Sequence, residues 1–201
     1  MFYWFIWYLF NFLKGLFFTV KVIGLENVPR SGGFIFAVNH KSYLDPMVIG
    51  MISRRRIRFV ARDSLFRNWL FGGFIRALGA FPVKRDSADI GAIKQIFNAL
   101  KQEYGVLIFP EGTRVSDDGE RKVQAGIGMI ALKSGVPIVP VYISGSDRVL
   151  PPGAKKITRG CITVTFGPPT QYSDKKESYA DIANQIMSNI LQLEKTLPPL
   201  K

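Results

Sequence analysis

The chain has 201 residues, enough for one domain with a full core, and its 47% hydrophobic and 13% aromatic content excludes a disordered polymer. A formal charge of +12 and a pI of about 10.0 call for an anionic partner: nucleic acid, a phosphorylated substrate or an acidic membrane surface. Cys161 is the only cysteine and His40 the only histidine, which excludes an internal disulfide and a zinc site of the Cys/His kind; carboxylate-held magnesium is left open.

Residues 1–20 hold ten aromatic side chains and one charged one, Lys14. The basic start and small-residue cleavage site of a signal peptide are missing. As a helix the stretch is about 30 Å long, barely a bilayer span. Trp and Tyr crowd its first half, and Asn11 and Lys14 interrupt the apolar run. Embedding in one leaflet is therefore favoured over spanning or burial in the core.

Gly33–Val38 is a short apolar run bounded by Gly and Asn, a buried strand that places His40 on the loop after its carboxyl end. Asp45-Pro46 predicts a helix start, with Asp45 as N-cap. Ile57–Ala61 reads as a strand, Ser64–Leu78 as a helix apolar nearly all round with a weak point at Gly72-Gly73, and Phe81–Val83 as a short strand. Nine cations between Arg54 and Arg85 face Asp63 alone, leaving +8 in one segment. Cations and apolar side chains alternate there in blocks, which resembles a membrane-surface helix more than a nucleic-acid groove.

Ile90, Ile93, Ile96, Phe97 and Leu100 recur at helical spacing, so a helix is expected over Ser87–Tyr104, stopped by Gly105. Val106–Phe109 is a buried strand, Val123–Ser134 a helix closed by Gly135, Val136–Ile143 a buried strand and Ile162–Phe166 an alternating one. Ile182, Ile186, Ile190 and Leu193 mark a closing amphipathic helix. The pattern predicts an α/β fold: residues 21–201 as a single domain with a mostly parallel or mixed central sheet flanked by helices, preceded by an N-terminal membrane-associated helix over residues 1–20.

His40 stands in Asn39-His40-Lys41-Ser42-Tyr43-Leu44-Asp45-Pro46. An imidazole with a carboxylate to orient it can deprotonate a hydroxyl at neutral pH, so His40 is the candidate general base and Asp45 its orienting acceptor. Asp45 as a simple N-cap is the competing structural reading. Ser42 raises a covalent mechanism, but the chain has no Gly-x-Ser-x-Gly elbow. The second string, Phe109-Pro110-Glu111-Gly112-Thr113-Arg114, gathers an acid, a glycine, a hydroxyl and a phosphate-matching guanidinium in one turn. Both strings follow strands, so one shared site beyond the sheet's carboxyl edge is expected.

Asn-His-x4-Asp with Phe-Pro-Glu-Gly-Thr-Arg, together with Gly79–Arg85 and the apolar Val136–Val141, resembles the four motifs of the glycerolipid acyltransferases, in particular bacterial 1-acylglycerol-3-phosphate acyltransferases. The resemblance runs from about Val22 to Thr170. It implies that His40, oriented by Asp45, deprotonates the free sn-2 hydroxyl of lysophosphatidic acid, which attacks an acyl thioester of acyl-carrier protein or coenzyme A. It implies that Arg62, Arg85 and Arg114 hold the acceptor phosphate, that Glu111, Gly112 and Thr113 shape the acceptor site, and that no cofactor or metal is bound. It places the protein on the cytoplasmic face of a bacterial membrane, monotopic or with a single N-terminal anchor, with no nucleic-acid partner. Another lysolipid or glycerol 3-phosphate as acceptor, and a non-enzymatic binder of anionic membranes, are the alternatives.

Overall fold

The computed structural model describes residues 4, 6–8, 17–83, 89–113, 123–151, 153–154, 156–173 and 176–196. Seven strands form one sheet: β1 (Phe18–Ile23), β2 (Phe34–Val38), β3 (Ile57–Arg62), β4 (Ala80–Val83), β5 (Gly105–Ile108), β6 (Ile138–Ser144) and β7 (Gly160–Phe166). Their spatial order is β1-β7-β6-β2-β5-β3-β4. The run from β6 to β4 is parallel throughout, β7 is antiparallel to β6, and β1 follows β7 in parallel. The sheet is thus mixed, with its five-strand parallel run reaching from β6 to the β4 edge.

β2 is buried at every residue, which is the reason its sequence is a continuous apolar run rather than an alternating one. Ile35 and Ala37 point to one face, Phe34, Phe36 and Val38 to the other. On the first face lie α3 (Ile90–Lys101), α4 (Gly126–Ser134) and α6 (Tyr179–Lys195); α1 (Asp45–Ile52) and the short α5 (Ser146–Val149) cover the second. The remaining helix, α2 (Trp69–Ala77), connects β3 to β4.

Several elements differ from the sequence expectation. β1 begins at Phe18, inside the stretch expected to be helical to residue 20, because Phe18–Ile23 pairs in parallel register with Gly160–Thr165 of β7. The rest of the 1–20 expectation falls largely outside the described residues. Among those described, no helix is long and apolar enough to cross a membrane.

The expected helix over Ser64–Leu78 is two pieces: a 3-10 turn at Asp63–Phe66, then α2, whose N-cap Asn68 accepts a hydrogen bond from Phe71 N–H at 3.0 Å. Gly72 is no weak point. A Cβ there would stand 2.9 Å from the Phe66 backbone, so glycine lets α2 pack directly on the 3-10 turn.

α3 holds all of the periodic residues but is shorter than the Ser87–Tyr104 expected, starting after the Asp89 cap and ending at Lys101. Its stop is Glu103, left-handed at φ 61°, where Glu103 N–H reaches Leu100 C=O and Tyr104 N–H reaches Ala99 C=O. Gly105 instead opens β5, where a Cβ would lie 2.5 Å from the Phe34 ring.

β3 also divides the basic segment expected to act as one patch. Ile57 lies level with the first residue of β5, so Arg54 and Arg56 are exposed at the amino edge of the sheet. Arg55 donates to the Pro29 and Glu103 carbonyls and covers the Phe34 ring, and Arg58 covers Tyr104. Arg62 lies at the opposite, carboxyl edge.

Candidate active site

The carboxyl ends of β2 and β5 bring the two sequence strings together. Asn39, fully buried, continues the β2–β6 ladder with its side chain: its amide nitrogen donates to Ile143 C=O at 2.9 Å, and its oxygen accepts from Ile143 N–H at 2.7 Å. This pairing pins the last residue before His40 to the neighbouring strand. Alanine at 39 would orphan both buried groups of Ile143. We expect it to cost about 2 kcal/mol in urea unfolding and to lower activity by loosening the His40 loop.

His40 Nδ1 lies 2.9 Å from Asp45 Oδ2. With the proton on Nδ1 donated to the carboxylate, Nε2 is the free acceptor. The side chain of Asp45 is fully buried, whereas that of His40 is 17% exposed, so the orienting acid is dry and the base reaches the surface. The same Oδ2 also accepts the backbone N–H groups of Lys41 and Ser42, each at 2.8 Å. Three donors and the adjacent amino end of α1 offset the cost of burying this carboxylate.

Asp45 is the first residue of α1 rather than its N-cap; that position is Leu44, which provides no side-chain cap. The second oxygen, Oδ1, accepts no hydrogen bond, so the carboxylate is committed to the His40 loop and not shared with the helix start.

Phe109 stacks on His40 with ring centroids 3.9 Å apart and planes 19° from parallel, covering one face of the imidazole. Glu111 is buried, and its Oε2 accepts the His40 backbone N–H at 2.8 Å. Two residues from the second string thus fix the first. Gly112, at φ 67°, turns the chain directly after Glu111, and its N–H closes on Phe109 C=O at 3.0 Å. Gln124 N–H donates to Pro110 C=O at 2.9 Å, so the chain is again at this turn by Gln124.

Ser42 is not placed as a nucleophile. It is fully buried, and its hydroxyl donates to Leu150 C=O at 2.9 Å while accepting from Leu44 N–H at 3.2 Å. Of the other expected residues, Gly112 and Thr113 are exposed on the turn and Arg62 is exposed at the end of β3, all on the site's edge of the sheet. Arg85 and Arg114 lie outside the described residues.

A cleft of roughly 410 Å³ opens between the 3-10 turn, α2, β4 and α3, with Arg67 and Arg76 among its lining residues. Among the described residues no cluster of His, Cys, Asp and Glu could hold a metal ion. Asn39 and Phe109 were not singled out by sequence, although each adjoins a residue that was. Glu111 was singled out for the acceptor site, and its side chain holds the His40 loop.

The site is thus one histidine paired with a buried carboxylate and gripped from two strands of an α/β sheet, an arrangement that can accept a proton from a hydroxyl. The comparisons supply the chemistry that goes with it. The family model described as Acyltransferase matches residues 19–144. A 1-acyl-sn-glycerol-3-phosphate acyltransferase of Bacillus subtilis (strain 168) is 32% identical over 187 residues, covering 90% of this chain and 91% of that protein. One from Streptococcus pneumoniae is also 32% identical, covering 84% of this chain and 64% of its own length. The crystal structure of the 1-acyl-sn-glycerophosphate (LPA) acyltransferase PlsC from Thermotoga maritima superimposes with a TM-score of 0.69 at 28% identity, covering 88% of this chain and 72% of that one. This chain belongs to the acyltransferase family and is an enzyme of it.

Proposed function

We propose that the protein transfers a fatty acyl group from a thioester of acyl-carrier protein or coenzyme A to the sn-2 hydroxyl of 1-acylglycerol 3-phosphate, producing phosphatidic acid at the cytoplasmic face of a bacterial membrane. The observation that carries this reading is the His40–Asp45 pair at 2.9 Å, held by Glu111 at the carboxyl edge of the sheet. The names of the relatives supply the acceptor.

In this mechanism Nε2 of His40 takes the hydroxyl proton as the oxygen attacks the thioester carbonyl. The imidazolium stays paired with Asp45 while the tetrahedral adduct collapses. The carbon–sulfur bond breaks, the thiolate leaves, and the proton returns from Nε2 to sulfur. An ester and a free thiol result, and the enzyme is restored. Stacking on Phe109 keeps the ring from swinging, so the base meets the hydroxyl in one orientation.

Arg62, Arg85 and Arg114 are the candidates for the acceptor's phosphate, since a guanidinium matches phosphate bidentately. Alanine at Arg85 or Arg114 should weaken use of the phosphorylated acceptor by about 1.5–3 kcal/mol each, with little change in the KM of the thioester. Equal damage to both substrates would remove these arginines from the phosphate site.

The experiment for the whole reading is thiol release by the purified chain against a panel of lysolipids and glycerol 3-phosphate, each with both donors. Preference for lysophosphatidic acid supports it. Preference for another acceptor moves the chemistry to that substrate, and no release with any pair overturns it.

A further inference from the structure

The site's edge of the sheet carries an apolar surface that the catalytic residues do not use. After Arg62 the chain passes through the 3-10 turn into α2, then returns to Ala80 of β4, level with Phe59 of β3. α2 therefore starts at the carboxyl edge and runs back toward the amino edge. Its first turn stands on the same edge as His40.

That first turn is strongly exposed: Trp69 at 80%, Leu70 at 64% and Phe71 at 48%, with Leu65 of the preceding turn at 42%. Apolar side chains in one contiguous group are a surface in want of a partner. The exposure is built in. Asn68 caps the helix, and the close approach of Gly72 to the Phe66 backbone fixes which side of α2 faces the protein. Arg62 and Arg67, both exposed, flank the turn that leads into this group, whereas Arg76 covers the Phe66 ring on the side of α2 that faces the protein; Asp63 is the one acidic residue between positions 62 and 78. Exposed apolar side chains preceded by Arg62 and Arg67 complement a surface with an oily interior and an anionic rim.

We propose that Leu65, Trp69, Leu70 and Phe71 dock the protein on an anionic lipid bilayer, with Arg62 and Arg67 against the headgroup phosphates. Nine residues of helix rise about 13.5 Å, too short to cross a bilayer and suited to lying in its interface. Tryptophan favours the headgroup level, where Trp69 would sit. Docking in this way turns the His40 edge toward the leaflet, so a lysolipid acceptor reaches the base without leaving its membrane. That purpose rests on the proposed function, whereas the docking itself is tested without any acyl transfer.

The full-length chain with Trp4→Phe and Trp7→Phe retains Trp69 as its sole tryptophan. Its emission is followed on titration with vesicles of phosphatidylglycerol and phosphatidylcholine carrying brominated acyl chains, beside vesicles of brominated phosphatidylcholine alone. The expected result is a blue shift and at least a twofold loss of emission with the anionic vesicles, and much less with the zwitterionic ones. Arg67→Glu should reduce the quenching severalfold. Unchanged emission with vesicles that co-sediment with the chain overturns the proposal, since the protein is then bound by another surface. Equal quenching by both vesicle types overturns the part given to the arginines. A blue shift that follows protein concentration without vesicles assigns the surface to a second copy of the chain and also overturns it. Because acyl transfer is not read, failure here leaves the proposed reaction standing, and failure of that reaction leaves this result standing.

Discussion

Alanine at position 40 is expected to lower kcat roughly a thousandfold, within the range general-base catalysis supplies, and to leave the fold intact. His40 side-chain atoms make one hydrogen bond, to Asp45, and the ring is partly exposed, so its removal leaves no large cavity. The KM for the acyl thioester should change little, because the lesion removes a proton acceptor and not a binding group. Asp45→Asn should fall in the same range for a different reason. Three N–H donors converge on Oδ2, and an uncharged amide neither holds the imidazolium nor satisfies three donors equally well. This substitution should also lower stability, since the carboxylate anchors the loop. Steady-state rates beside circular dichroism separate the two effects. Activity of His40→Ala within tenfold of the natural enzyme would remove His40 from the chemistry.

The largest expected effect on stability is at a residue outside the site. Gly128, in the first half of α4, faces the start of α6, and a Cβ there would stand 1.9 Å from the Tyr179 carbonyl oxygen and 3.1 Å from the Ala183 nitrogen. Both are backbone atoms near the start of α6, so the overlap is relieved only by moving that helix. Alanine normally gains helix propensity over glycine by roughly 1 kcal/mol, but backbone displacement outweighs it here. A net loss of about 3 kcal/mol is expected, equivalent to roughly 6–12 °C in Tm for a chain of this size. Gly126→Ala is the internal control. It lies in the same helix, a Cβ there meets nothing within 4 Å, and the substitution should be neutral or stabilising. A Gly128→Ala protein as stable as the Gly126→Ala one would mean that α4 and α6 do not approach as described.

The His40–Asp45 contact was legible in the sequence because it is local. His40 and Asp45 share one loop, and their spacing alone allows the imidazole to meet the carboxylate. The alternation of buried strands and amphipathic helices likewise predicted the α/β sheet. What escaped the sequence depends on long-range partners. β1 alternates, Phe18 and Val20 against Thr19 and Lys21, but it opens on the end of an aromatic run that reads as one helix, and its pairing with β7, about 140 residues later, decides for the strand. The neighbours of Glu111, Gly112 and Arg114, do not signal that its Oε2 accepts the His40 N–H, 71 residues away in the chain. Asn39 acts through Ile143, and nothing near it in the sequence signals a side chain completing a strand ladder. The cations from Arg54 to Arg85 count as one basic segment in the sequence, but the strand between them carries Arg62 to the far edge of the sheet from Arg54.

The most direct test of the account follows both products at once. The purified full-length chain is supplied with lysophosphatidic acid and a thioester bearing a labelled acyl group, beside the His40→Ala variant, and free thiol and labelled lipid are quantified together by mass spectrometry. The account predicts one labelled phosphatidic acid for each thiol released by the natural chain, and almost none of either from the variant. Thiol release without labelled phosphatidic acid, or the same lipid yield from both proteins, would contradict it.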